Sequence, residues 1–311
     1  MICDAHVHFF SPGFFAALGA SREALAGIGW DDPESTEALA GRWVLELDRH
    51  GVTKAALMAS LPGDADSVIK AVALHPSRFV GFFMLDPTRD DAIAYAERAL
   101  DAGLQTICLF PAMHKYALHD ERVARVFELA NSHASLTRAA GPSPTSGEAA
   151  SPTPRRPSVF VHCGVLSVGV RKKLGLASPF DIRFGNPLDL HGVALKFPHV
   201  TIVIPHFGAG MLREALMVAS LCPNVLLDTS SSNSWIKQTP GLTLEQVFRA
   251  ALEVAGPERL LFGTDSSFFP RGWNRDIYLQ QKAALDSLGI AAPDQEKIFA
   301  GNFRRRFGAG A

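Results

Sequence analysis

Apolar residues in this chain fall into short, nearly unbroken runs, separated by stretches in which they recur every three or four positions. Runs too uniformly apolar to alternate read as parallel strands covered on both faces, and the intervening stretches as amphipathic helices laid over them. Met1-Ile2-Cys3 leads into Asp4-Ala5-His6-Val7-His8, the first strand. Residues 9–35 form a long connection carrying Phe9, Phe10, Phe14, Phe15 and Trp30. A helix follows from Glu37, with Leu39, Trp43 and Leu47 on one face and Gly51 as its stop. Further strands are expected at Val52–Met58, Phe79–Met84, Gln105–Phe110, Val159–His162, Val200–Ile204, Val225–Asp228 and Arg259–Thr264. Helices are expected over Ala65–Leu74, Asp90–Asp101, Pro187–Lys196, Met211–Leu221, Leu244–Ala255, Asn274–Leu288 and Asp294–Arg306. One more carries the Val123, Val126, Phe127 and Ala130 face behind an Asp120 N-cap, and Thr243 with Gln246 makes a capping box.

Eight strands, mostly with a helix after each, define an α/β chain that closes most simply as a single (β/α)8 TIM barrel over residues 1–311. The alternative, an open doubly wound sheet, lacks a Gly-rich phosphate loop after strand one. The rhythm breaks only at Thr137–Pro157, rich in Pro, Ser, Gly and Ala and without apolar periodicity. It reads as a flexible insertion between the fourth helix and strand five, on the face away from the strand ends that carry chemistry.

Composition narrows the class. The chain is 47% hydrophobic and 20% charged, enough for a large core, and its net charge of −1 leaves no electrostatic footprint for nucleic acid or an anionic membrane. No apolar run approaches the ~18 residues of a membrane span, and no signal-peptide pattern opens the sequence. Cys3, Cys108, Cys163 and Cys222 are scattered without a C-x-x-C pair, so they read as reduced thiols in a cytoplasmic protein. The expected partner is a small-molecule substrate, with a homodimer as an open alternative for the assembly.

The chemistry collects at strand ends. His6 and His8, two apart on one strand, face the same way and form half of a transition-metal site or a pair of hydrogen-bonded core histidines. Val-His-Cys-Gly at 161–164, Pro-His-Phe-Gly at 205–208 and Gly-Thr-Asp-Ser at 263–266 repeat the pattern of a metal-capable residue ending an apolar run. On the barrel reading His6, His8, His162, His206 and Asp265 share one rim. Asp4 lies on the same face but deeper, as a hydrogen-bonding partner rather than a ligand. Asp228 either contacts substrate or caps the turn after strand seven.

With DAHVHFF, VFVHCG, VIPHFGAG, LLFGTDSSFF and IFAGNFRRRF in place, the chain resembles the amidohydrolase superfamily along its whole length. The likeness is to the amidohydrolase-related branch, which includes aminocarboxymuconate-semialdehyde decarboxylase and related aromatic-acid decarboxylases and hydrolases. The resemblance implies one divalent metal on His6, His8, His162 and Asp265, with Zn²⁺ first and Mn²⁺, Fe²⁺ or Co²⁺ as alternatives. It implies His206 as the acid/base or substrate-polarising group, and Asp265, contacting the metal, is placed to accept the proton of a bound water as the second catalytic group. Binuclear members carry a bridging lysine or glutamate on strand four. Residues 104–110 hold neither, so a mononuclear site is expected, with Cys108 a core residue and Cys163 turned away.

Such a site suits metal-activated water attacking an amide, lactone or ester-like bond. The same parts suit non-oxidative decarboxylation of an aromatic or unsaturated acid, and a purely structural metal is the third reading. Trp235 and Phe268, with other aromatics on the rim segments, are candidates to line a pocket for a flat or apolar substrate. Arg183, Lys237 and Arg271 are candidates to hold a carboxylate, and Arg271 joins Trp235, Phe268 and Asp228 as the expected substrate-binding set.

Overall fold

Eight parallel strands pair in strict sequence order in the computed structural model, which describes residues 1–133, 156–231 and 234–308. They are β1 (Ile2–Phe9), β2 (Val52–Ala59), β3 (Phe79–Leu85), β4 (Thr106–Leu109), β5 (Ser158–Val161), β6 (Ile202–Ile204), β7 (Val225–Asp228) and β8 (Leu260–Leu261). The order and the helices between the strands bear out the TIM barrel. β8 is much shorter than the expected Arg259–Thr264, because residues 262–266 leave the regular ladder while still closing the ring. Ala5 N donates to Phe262 O at 2.8 Å, Asp265 N to His6 O at 3.0 Å and His8 N to Ser266 O at 2.7 Å. Gly263 makes the tight approach possible: a Cβ there would stand 2.8 Å from His6 Cβ and 2.9 Å from both Asp228 Oδ1 and Ser230 Cβ.

Side-chain alternation divides the core in two. Ala56 and Met58, Phe82 and Met84, Cys108 and Phe110, Phe160, Val203 and Leu261 fill the barrel interior. Their neighbours, such as Leu57, Phe83, Leu109, Val161 and Ile204, pack outward against the helices. Phe303 and Phe307 of the C-terminal helix Asn302–Phe307 join the interior cluster, the Phe307 ring lying 5.0 Å from that of Phe82. The interior is thus filled, and it leaves room for chemistry only at the rim.

The capping signals hold: Asp120 accepts from Arg122 N at 2.8 Å, and Thr243 and Gln246 form their reciprocal box. Residues 9–35 are less loop-like than expected. Ser11 and Ser21 each cap a short helix, Pro12–Ala17 and Arg22–Gly27, and Pro12 sits at the favoured first position. The expected last helix is instead Ala292–Glu296, a π-helical turn over Lys297–Gly301, and Asn302–Phe307. Of the Thr137–Pro157 stretch, all but Arg156 and Pro157 lies outside the described residues. Among the described residues no helix is long and apolar enough to cross a membrane.

Candidate metal centre

Strand alternation alone would put Cys3, Ala5, Val7 and Phe9 on one face and Asp4, His6 and His8 on the other. The register of β1 against β2 instead shifts between Asp4 and Val7. Cys3 and Ala5 lie in the interior cluster, whereas Val7 and Phe9 lie in the outer one. An irregularity of this kind re-aims side chains. Here it turns His6 and His8 over the barrel mouth and separates them from Asp4, correcting the expectation that all three share a face. The Asp4 carboxylate accepts from Thr264 Oγ1 at 2.5 Å, Trp273 Nε1 at 2.7 Å, His6 N at 2.9 Å and Thr264 N at 3.2 Å. Complete burial pushes its pKa up to about 6 despite those donors.

Hydrogen accounting fixes which imidazole nitrogens carry lone pairs. Ser60 Oγ lies 2.6 Å from His8 Nδ1 and 3.0 Å from Met58 O, which only accepts; when the hydroxyl donates to that carbonyl, His8 carries its proton on Nδ1. His6 Nδ1 stands 2.7 Å from Asp228 Oδ2 and likewise carries its proton there. The two Nε2 atoms therefore meet at 3.3 Å with no proton between them, and His8 Nε2 lies 3.2 Å from Asp265 Oδ1. Two ligands of a tetrahedral ion with ~2.0 Å bonds stand about 3.3 Å apart. The ligand atoms of His6, His8 and Asp265 all lie within 4.8 Å of one another. Lone pairs so crowded are stable around a cation, and the geometry fits one.

His162, inward-facing two residues beyond Phe160, stands on the same rim but outside that tightest group. Its ring lies 5.2 Å from that of His206 and stacks at 5.4 Å on Phe110, and its buried Nδ1 has no hydrogen-bond partner among the described residues. A buried imidazole nitrogen without a hydrogen-bond partner is chemically suited to hold an ion. Phe110, just past β4, lies in the interior cluster and offers no ligand atom to a second ion. Cys108 is sealed in the interior and Cys163 in the outer cluster, burial holding both thiols well above their usual pKa.

His206 arrives through strained backbone. His206 (φ 56°), Phe207 (φ 51°) and Asp265 (φ 56°) all occupy the left-handed region, as residues at functional sites often do. The His206 ring stacks 5.1 Å from that of His6. Burial lowers the pKa of His206, His8 and, most strongly, His162. It works against the charged form of His6 too, but Asp228 beside it outweighs burial and raises that pKa. Burial alone would raise Asp265, yet the imidazoles around it, His8 nearest, hold it far below the carboxylate range. Three imidazoles favouring the neutral state beside an ionised carboxylate suit metal binding.

The remaining candidates divide. Asp228 is 1% exposed and both its oxygens are engaged, Oδ2 by His6 and Oδ1 by Ser230 N at 2.6 Å. It caps the turn and orients His6, and no face is left for a substrate. Trp235 is buried in the outer core, packing its loop onto the barrel. Arg183 is exposed and paired with Asp181, and Lys237 is exposed. Arg271 is closer to the chemistry: its Nη2 donates to Ser267 Oγ at 3.1 Å and Asp265 O at 3.3 Å, and its guanidinium lies 4.6 Å from the ring centre of Phe268. Phe268 in turn stacks on Trp30 at 3.8 Å. Away from the centre, His50 donates to the buried Glu46, and His114 is half-buried with its Nδ1 unpartnered among the described residues.

Sequence reasoning missed Ser60 and Ser230. Ser230 Oγ stands 2.8 Å from His6 Nδ1 and 2.9 Å from His206 Nδ1. Each serine lies just past a strand end, Ser60 after β2 and Ser230 two residues after β7. That placement was the available signal.

A parallel eight-stranded barrel with histidines and a carboxylate converging at its mouth defines the class: a metal-dependent barrel enzyme. The sequence profile described as Amidohydrolase matches residues 3–309, and the chain belongs to that family. Protein fluG of Emericella nidulans is 33% identical over 114 residues, 37% of this chain and 12% of that protein, so the match spans a small part of the curated relative. Among solved structures, a probable 2-pyrone-4,6-dicarboxylic acid hydrolase from Acinetobacter baumannii aligns with TM-score 0.59 and 16% identity over 99% of both chains. A 5-carboxyvanillate decarboxylase from Novosphingobium aromaticivorans, with bound manganese, aligns with TM-score 0.63 and 15% identity over 99% of this chain and 97% of that one. Both likenesses are of fold.

Proposed function

We propose that this protein is a metal-dependent hydrolase that opens an amide, lactone or ester-like bond in a small carboxylate-bearing substrate. In this reading His6, His8, His162 and Asp265 hold one divalent ion, Zn²⁺ first among the candidates. Such an ion supplies Lewis acidity, stabilising charge on oxygen and bringing the pKa of a water towards ~7.

The observation that carries the reading is the Asp265 carboxylate. It is 35% exposed, its Oδ1 faces His8, and its Oδ2 has no hydrogen-bond partner among the described residues. That oxygen is free to take the proton of an attacking water. As the water oxygen bonds to the carbonyl carbon and the scissile bond breaks, His206 supplies a hydrogen bond or proton to the departing group. Arg271, braced by Phe268 and the Asp265 carbonyl, is the group we assign to the substrate carboxylate.

Decarboxylation is the second reading, favoured by Arg271 standing beside the candidate centre, where it would hold a scissile carboxylate. Solvent isotopes separate the two. Turnover in ¹⁸O-water is expected to label the new carboxylate. Deuterium on a carbon that has lost CO2, with no ¹⁸O in the product, would overturn the hydrolase reading. The mononuclear expectation has its own measurement. Elemental analysis should find one tightly held divalent ion per chain, lost in His6→Ala, and two such ions per chain would refute it.

A further inference from the structure

We infer that the Ser230 hydroxyl sets the tautomer of His206, placing its proton on Nε2 so that the neutral ring presents a donor, not a lone pair, to the site. The catalytic meaning of this rests on His206 being the acid/base group proposed above; the tautomer itself does not.

The argument is a count of protons around one buried oxygen. Ser230 is fully buried. Among the described residues its Oγ has two neighbours within hydrogen-bond distance, His6 Nδ1 at 2.8 Å and His206 Nδ1 at 2.9 Å. His6 Nδ1 bears a proton, because it also faces the Asp228 carboxylate at 2.7 Å and a carboxylate only accepts. The hydroxyl proton cannot be given to a nitrogen that already carries one. Among the described residues the only acceptor left for it is His206 Nδ1, which must then hold a lone pair. In a neutral imidazole the proton then resides on Nε2. Nε2 has no hydrogen-bond partner among the described residues, so its N–H is available to a ligand.

A competing arrangement is built into the same residue. Ser230 O lies 3.1 Å from His206 Nδ1 and, as a carbonyl, could only accept from an Nδ1–H. The side chain and main chain of Ser230 therefore favour opposite tautomers, and the shorter contact belongs to the hydroxyl. The backbone holds this junction firmly: Ser230 N donates to Asp228 Oδ1 at 2.6 Å, and Gly263 packs against its Cβ. Removing the hydroxyl leaves the carbonyl as the remaining partner, and the proton should move to Nδ1. Ser230 is in this sense a positioning residue that acts through His206.

The test is spectroscopic and independent of any substrate. Zinc-loaded protein carrying ¹⁵N-histidine at pH 7.5 is read by long-range ¹H–¹⁵N correlation, with the His206 signals assigned from His206→Gln. The wild-type pattern is expected to be Nε2–H, and Ser230→Ala should convert it to Nδ1–H with zinc content unchanged. An Nδ1–H or doubly protonated ring in the wild type overturns the inference, even if Ser230→Ala fails to fold. Retention of Nε2–H in folded Ser230→Ala overturns it as well. None of these outcomes depends on whether the enzyme hydrolyses or decarboxylates.

Discussion

Replacing His206 with alanine lowers turnover by about 10²- to 10⁴-fold while leaving one divalent ion per chain, the range usual for loss of a positioned acid/base group. The expectation follows from where the ring stands. It stacks on His6 and lies edge-on to His162, close enough to reach whatever those residues hold, yet its Nδ1 is directed at Ser230 and away from the ligand group. Its loss therefore removes a proton donor without removing a ligand. Steady-state kinetics paired with elemental analysis checks both halves. Loss of the ion together with activity would make His206 a ligand, and unchanged turnover would remove it from the chemistry.

Asp228→Ala should weaken metal affinity by about 10- to 100-fold, the usual consequence of removing the carboxylate behind a ligating histidine. His6 would lose the acceptor that fixes its tautomer and aims Nε2 at His8 and Asp265. Asp228→Asn should recover only part of the loss. The aspartate accepts on both oxygens, from His6 Nδ1 and from Ser230 N, whereas an asparagine has one acceptor oxygen and must turn its amide protons on the other donor. Competition with a chromophoric chelator measures the affinity. An unchanged constant in both variants would show that His6 is held by the barrel alone.

The strands and their order were legible because each is an apolar run ended by punctuation, and the rim residues because they close those runs. What was not legible arises between segments distant in sequence. The irregularity that separates Asp4 from His6 and His8 is a matter of β1 register against β2, and nothing local in DAHVH announces it. The partners that decide where the imidazole protons sit are scattered: Ser60 and Asp228 stand 52 and 222 residues from the histidines they bond, and Ser230 stands 24 from His206. Trp235 was read as a pocket aromatic because its segment follows a strand, but a rim loop also needs an anchor, and this indole serves as one. By contrast, the helices begun by Ser11-Pro12 and Ser21 carried a visible local signal, since a serine accepting from the third residue on is the commonest way to start a helix.

The closing seam sets a timetable for biosynthesis. Asp4 and Thr264 bond across 260 residues, and the candidate centre takes His6 and His8 from one end of the ring and Asp265 from the other. At the ~5–20 residues per second of translation, His6 and His8 wait roughly 15–50 s on the nascent chain before Asp265 exists to join them. Until then the histidines of the centre lack their carboxylate and are a weaker, less selective trap for any passing cation. Selection of the ion therefore falls to the finished barrel, and a ribosome-stalled chain lacking β8 should bind metals indiscriminately and release them readily.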